Sequence, residues 1–96
     1  MISNIYIQNN DLVVNVDYEE EESENVEFAI VFNIDEERIH YLNHTAYEIF
    51  KLANESVSRD EIISSFTEQY EMGQYEVDLV HKAIDDLVEK NILMLA

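Results

Sequence analysis

An α+β domain, with a three-stranded antiparallel sheet followed by three helices, is the fold class this sequence predicts. Three observations carry the prediction. Apolar residues alternate with period two up to about Asn43, and beyond it they recur with a period near 3.6. The chain has 96 residues, enough for one hydrophobic core and little more, so residues 1–96 are read as a single domain. An apolar fraction of 47% supplies that core in spite of a net charge of −17.

The elements follow in order. Leu12, Val14, Val16 and Tyr18 alternate with Val13, Asn15 and Asp17, which predicts a strand over about 12–18. Phe28, Ile30, Phe32 and Ile34 alternate with Ala29, Val31 and Asn33, which predicts a second over about 28–34. The five glutamates between Glu19 and Asn25 cannot enter a core, so this stretch is expected to be a flexible, self-repelling hairpin loop. Asp35-Glu36-Glu37 makes the next turn, and a third strand occupies about 38–42. Ile5-Tyr6-Ile7 adds a short extra strand.

After Asn43 the pattern is helical. Ala46, Ile49, Phe50 and Ala53 share one face of a first helix over about 44–54, which Asn43 or Thr45 can cap. Ser58-Arg59-Asp60-Glu61 has the spacing of a capping box. It opens a second helix over about 59–71, with Ile62, Ile63, Phe66 and Tyr70 as its apolar stripe. Glu71-Met72-Gly73-Gln74 breaks that helix, and Gly73 is the only glycine in the chain. The third helix runs over about 74–90 on Val77, Val80, Ile84, Leu87 and Val88. Asn91 suits the left-handed residue that ends a helix, and Ile92 to Leu95 packs back as an extended tail.

Composition excludes several functions. Without cysteine there is no disulfide, thiolate zinc site or cysteine nucleophile. No apolar run reaches the ~18 residues of a membrane span, and Met1-Ile2-Ser3-Asn4 lacks the basic start of a signal peptide. The expected compartment is the cytoplasm, with no membrane partner. Arg38, Lys51, Arg59, Lys82 and Lys90 are scattered among 22 acids, which argues against nucleic acid as a partner. An acidic domain attracts a basic peptide or a positive protein patch over about one Debye length, ~8–10 Å. The same acidity also keeps a small protein in solution.

No group of residues predicts catalysis, a metal or a cofactor. His40, His44 and His81 have no second ligand at a metal-site spacing. Asp85 and Asp86 are helix neighbours that point ~100° apart, so they form no dyad. One glycine cannot build a phosphate cradle, and no serine stands in a nucleophile elbow. The chain is read as a non-enzyme.

A binding groove is the more informative expectation. Tyr75, Leu79 and Ala83 recur at i, i+4 and i+8, forming a second, narrower apolar strip beside the core stripe of the third helix. Scattered surface apolar residues are normal, and the sheet or tail would cover this strip if it were only structural. The functional reading makes it one wall of a groove. The opposing wall is the third strand, Arg38-Ile39-His40-Tyr41-Leu42, an outer strand with no proline and little charge to blunt its edge. An open edge beside an apolar helix face suits addition of a peptide strand. The same edge allows two copies to pair as a homodimer.

These residues resemble the PqqD-like family, the RiPP recognition elements of ribosomally synthesised and modified peptide pathways. The resemblance lies in Leu42-Asn43-His44-Thr45-Ala46, then Ile49, Glu61-Ile62, Phe66, Tyr70, Val80, Ile84, Leu87 and Glu89-Lys90-Asn91-Ile92-Leu93, over about residues 28–95. The chain departs from the family at Asn54-Glu55-Ser56, where members often carry glycine, and at Lys90-Asn91-Ile92, where they often carry Lys-Gly-Leu. The resemblance implies a winged-helix-like domain that binds the leader segment of a precursor peptide as an extra strand. Its site would be Arg38, Ile39, His40, Tyr41 and Leu42 on the third strand, facing Tyr75, Leu79, Lys82, Ala83 and Asp86 on the third helix. It also implies a separate tailoring enzyme as partner, whether a radical SAM enzyme, a leader protease or a cyclase. The alternative is an acidic winged-helix domain for protein interaction or regulation, without leader binding. A DNA-reading winged helix would need a basic third helix, yet this one carries five acids against Lys82 and Lys90.

Overall fold

Two three-stranded antiparallel sheets and three helices make up the α+β fold. The computed structural model describes residues 4–21 and 24–96, with 19–21 and 24–25 given by backbone alone. In chain order the elements are β1 (Ile5–Gln8), β2 (Leu12–Glu21), β3 (Glu24–Asn33), β4 (Arg38–Leu42), α1 (His44–Leu52), β5 (Val57–Ser58), α2 (Arg59–Gln69), α3 (Gln74–Glu89) and β6 (Leu93–Leu95). One sheet has the order β2-β3-β4 and the other β5-β1-β6.

The hairpin of β2 and β3 is longer than the alternation predicts. Pairing runs from Leu12↔Asn33 to Glu21↔Glu24, so the acidic stretch read as a loop is mostly ladder. Ladder hydrogen bonds are made by backbone groups, and glutamates are compatible with a strand that need not be buried. Glu22 and Ser23 of that expected loop lie outside the described residues. At its far end β3 stops one residue early. Asn33 is buried and its Oδ1 accepts from the Glu36 N–H at 3.1 Å, which turns the chain toward β4.

Within β3 the smaller set of residues faces the helices. Ala29, Val31 and Asn33 are buried, whereas Ile30 and Phe32 are exposed on the opposite face. Ile49 and Phe50 of α1, Ile62 and Phe66 of α2, and Val80, Ile84 and Leu87 of α3 already fill the interior. Small side chains on the central strand let α1 pack closely against it. The outer face carries Val13, Ile30, Phe32, Ile39 and Tyr41, all exposed.

The helix boundaries follow local capping. Asn43 caps α1, its Oδ1 accepting from the Ala46 N–H at 2.9 Å, so Thr45 falls inside the helix. The Ser58–Glu61 capping box of α2 is formed in both directions. At the start of α3 the Glu76 carboxylate accepts from the Gly73 N–H at 3.0 Å. The helices end at Leu52, Gln69 and Glu89, each one or two residues short of the predicted bounds. Asn91 takes the left-handed conformation at φ 58°.

The second sheet exceeds the sequence-based expectation. Besides the short first strand and the returning tail, it includes the two-residue β5, and it joins the start, middle and end of the chain. Buried Tyr6 lies at its centre, its hydroxyl accepting from Arg59 Nε and Nη2 at 3.1 and 2.8 Å. Arg59 also pairs with Asp85 and reaches His81 Nδ1, so β1, α2 and α3 meet at one guanidinium. Burial alone would lower the Arg59 pKa, but the hydrogen bonds it donates to Asp85 and Tyr6 outweigh that and raise it.

Candidate binding groove

Among the described residues, β4 pairs with β3 alone. The tail and the first strand pair with each other in the other sheet, so neither covers the free edge of β4. Across that edge lies α3; two cavities lie between them and a third lies beyond the end of β4.

The largest, about 610 Å³, is lined by Glu36, Arg38 and His40 on one side and Asp86, Glu89 and Lys90 on the other. The second, about 260 Å³, lies beside Tyr41, Leu42 and Asn43, with Ala83, Asp86 and Leu87 opposite. The third, about 290 Å³, is an apolar cup beyond the end of β4. Phe66, Tyr70, Met72, Leu79 and Val80 form its walls, with His44 and Thr45 at the start of α1 and Glu71 and Glu76 also lining it. Met72 and Val80 pack on or belong to the core, which fixes the cup's shape.

The predicted site residues do not all gather here. Arg38, His40, Tyr41 and Leu42 line the cavities, as do Leu79, Ala83 and Asp86. Ile39 lines none of the three. It is 70% exposed on the outer face of the sheet, opposite Phe32 in the register. Tyr75, 73% exposed, and Lys82 stand on α3 but line none of them either. The face of α3 that lines the groove is Glu76, Leu79, Val80, Ala83, Asp86, Leu87 and Glu89, with Lys90 at the helix C-cap. Its signal was present in the sequence: Glu76, Ala83 and Lys90 recur every seven residues, as do Leu79 with Asp86 and Val80 with Leu87. A strict i, i+4 strip drifts off that line toward Tyr75. Glu36 and the cup residues of α2 come from outside β4 and α3, and spacing on one element cannot indicate them.

The groove is electrostatically mixed. Lys90 Nζ lies 2.8 Å from Asp86 Oδ2, and Asn91 Nδ2 donates to Glu36 Oε1. His40 Nε2 is buried without a hydrogen-bond partner among the described residues. Leaving such a nitrogen unpaired costs about 1–3 kcal/mol, which a ligand atom that reaches it would recover. Among the described residues no three His, Asp or Glu side chains come together as a metal site. Nor is any helix long and apolar enough to cross a membrane.

A family model described as Coenzyme PQQ synthesis protein D (PqqD) matches residues 29–93. The chain belongs to the PqqD family. The matched span begins on β3 and ends on β6, so it contains β4, all three helices and the whole groove. Membership in this PqqD-like, RiPP-recognition family points to a peptide-binding accessory protein of cofactor or RiPP biosynthesis. No curated protein and no solved structure matches the chain.

Proposed function

We propose that the chain captures the leader segment of a precursor peptide by adding it as a strand to β4, and presents it to a separate modifying enzyme. The supporting observation is the edge of β4, unpaired among the described residues, which faces α3 across two adjoining cavities with an apolar cup beyond the end of the strand. Backbone hydrogen bonds along Arg38–Leu42 supply affinity, and the pockets on the α3 side supply side-chain selectivity. No bond is made or broken by this chain. Its contribution is local concentration, because a tethered core peptide meets its enzyme as if in one molecule.

The test titrates synthetic leader segments of candidate precursor peptides from the source organism by fluorescence anisotropy. Leu79→Arg places a charge in the apolar cup and is expected to weaken binding at least about tenfold, a loss of ~1.4 kcal/mol. Tyr75→Ala, on the same helix but outside the cavities, is expected to leave affinity within about twofold. Circular dichroism of both variants checks that the fold survives. Equal affinity of Leu79→Arg and the native chain overturns the proposal.

A further inference from the structure

The two ends of the groove differ in chemistry, and their separation is fixed by one helix. At the cup end the walls are apolar, from Phe66, Tyr70, Leu79 and Val80. At the other end Lys90 is engaged by Asp86, and Asn91 positions the Glu36 carboxylate. Among the described residues, Glu36, Glu89 and Arg38 line this cavity without an ion-pair partner, two acids to one base. His40, with its buried and unpaired Nε2, lines the same cavity. The net charge of −17 adds a negative field over the whole groove, so a cation is the favoured guest at this end.

The spacing follows from geometry. Val80 at the cup and Glu89 at the polar cavity are nine residues apart on α3, about 14 Å at ~1.5 Å per residue. An extended peptide covers that length in four to five residues at ~3.3 Å each. Alternate side chains of a strand face the same way, so the two anchors are separated by an even number, which is four. Every strand pair among the described residues is antiparallel. A guest that continues the pattern runs opposite to β4 and meets the cup first.

We infer that the groove selects a peptide with a large apolar residue followed, four positions toward its C-terminus, by Lys or Arg. This inference rests on the strand-addition proposal above. Its test is a selection from a displayed library of random twelve-residue peptides, with the full chain as bait. The expected winners carry the apolar and basic columns at that spacing. Bait carrying Glu36→Lys and Glu89→Lys is expected to lose the basic column and keep the apolar one. A winning peptide with its basic residue changed to Glu, or moved by one position, is expected to bind at least about tenfold more weakly. Winners with an acidic residue there, with no preference, or with another spacing overturn the motif and leave strand addition standing. A native chain that enriches nothing over the Leu79→Arg bait overturns both.

Discussion

The Arg59 guanidinium meets Tyr6 of β1 and both His81 and Asp85 of α3, so one side chain ties three elements together. Replacing Arg59 by Met leaves the buried Tyr6 hydroxyl without its donor. A loss of about 2 kcal/mol in urea unfolding is expected, and a change under ~0.5 kcal/mol would show that the network is ornamental. A second polar cluster predicts a pH dependence. Burial raises the Tyr47 phenol above its ordinary 10.0, more than the nearby Lys51 charge lowers it. Burial would lower Lys51, but its hydrogen bonds to Glu48 and Glu27 outweigh that and hold it above 10.5. Both groups bind their protons more tightly when folded than when unfolded. Their contribution is therefore complete below the ordinary values and is lost as pH climbs through the raised ones. The urea midpoint is expected to show no pH dependence from these two groups near neutrality and to fall above pH 10.0, and Lys51→Met should reduce that alkaline drop.

Among the elements, caps and turns explain which boundaries the sequence reveals. Ser58 and Glu61 announce the start of α2 because both partners of the box lie within four residues. Asn91 announces the end of α3 for a similar reason, since its backbone at φ 58° is a local choice. Asn91→Ala is expected to cost about 1–2 kcal/mol in thermal or urea unfolding through backbone strain alone. Asn91→Gly relieves that strain, and a glycine variant as unstable as the alanine one would assign the cost to the lost Glu36 contact instead. What local pattern could not reveal is pairing between distant segments. Val57 and Ser58 have no strand alternation of their own and become β5 because Ile5 and Tyr6 lie alongside. The acidic ladder of β2 and β3 was hidden for a different reason. Glutamate count reports on burial, whereas strand pairing depends on the backbone. The groove was half legible. The open edge of β4 follows from strand order, and Leu79 and Ala83 from helical spacing. Tyr75 and Ile39 show how a few tens of degrees, or one residue of alternation, move a side chain off the site.

At the scale of the molecule, a charge of −17 on 96 residues sets the conditions for any encounter. Attraction for a basic peptide is screened over ~8 Å at physiological salt, so affinity for a leader is expected to fall as salt rises from 50 to 500 mM. Anisotropy titrations at several salt concentrations check this, and a flat series would remove charge from the recognition. The outward face of the β2–β3–β4 sheet gives that charge another consequence. Val13, Ile30, Phe32, Ile39 and Tyr41 form a greasy plate that water must cover. Two such plates would stack readily if the chains were neutral, and mutual repulsion is expected to oppose that stacking in concentrated solution. Acidification toward the isoelectric point near 4.1 removes this colloidal safeguard, so the protein should cloud before it loses its helices.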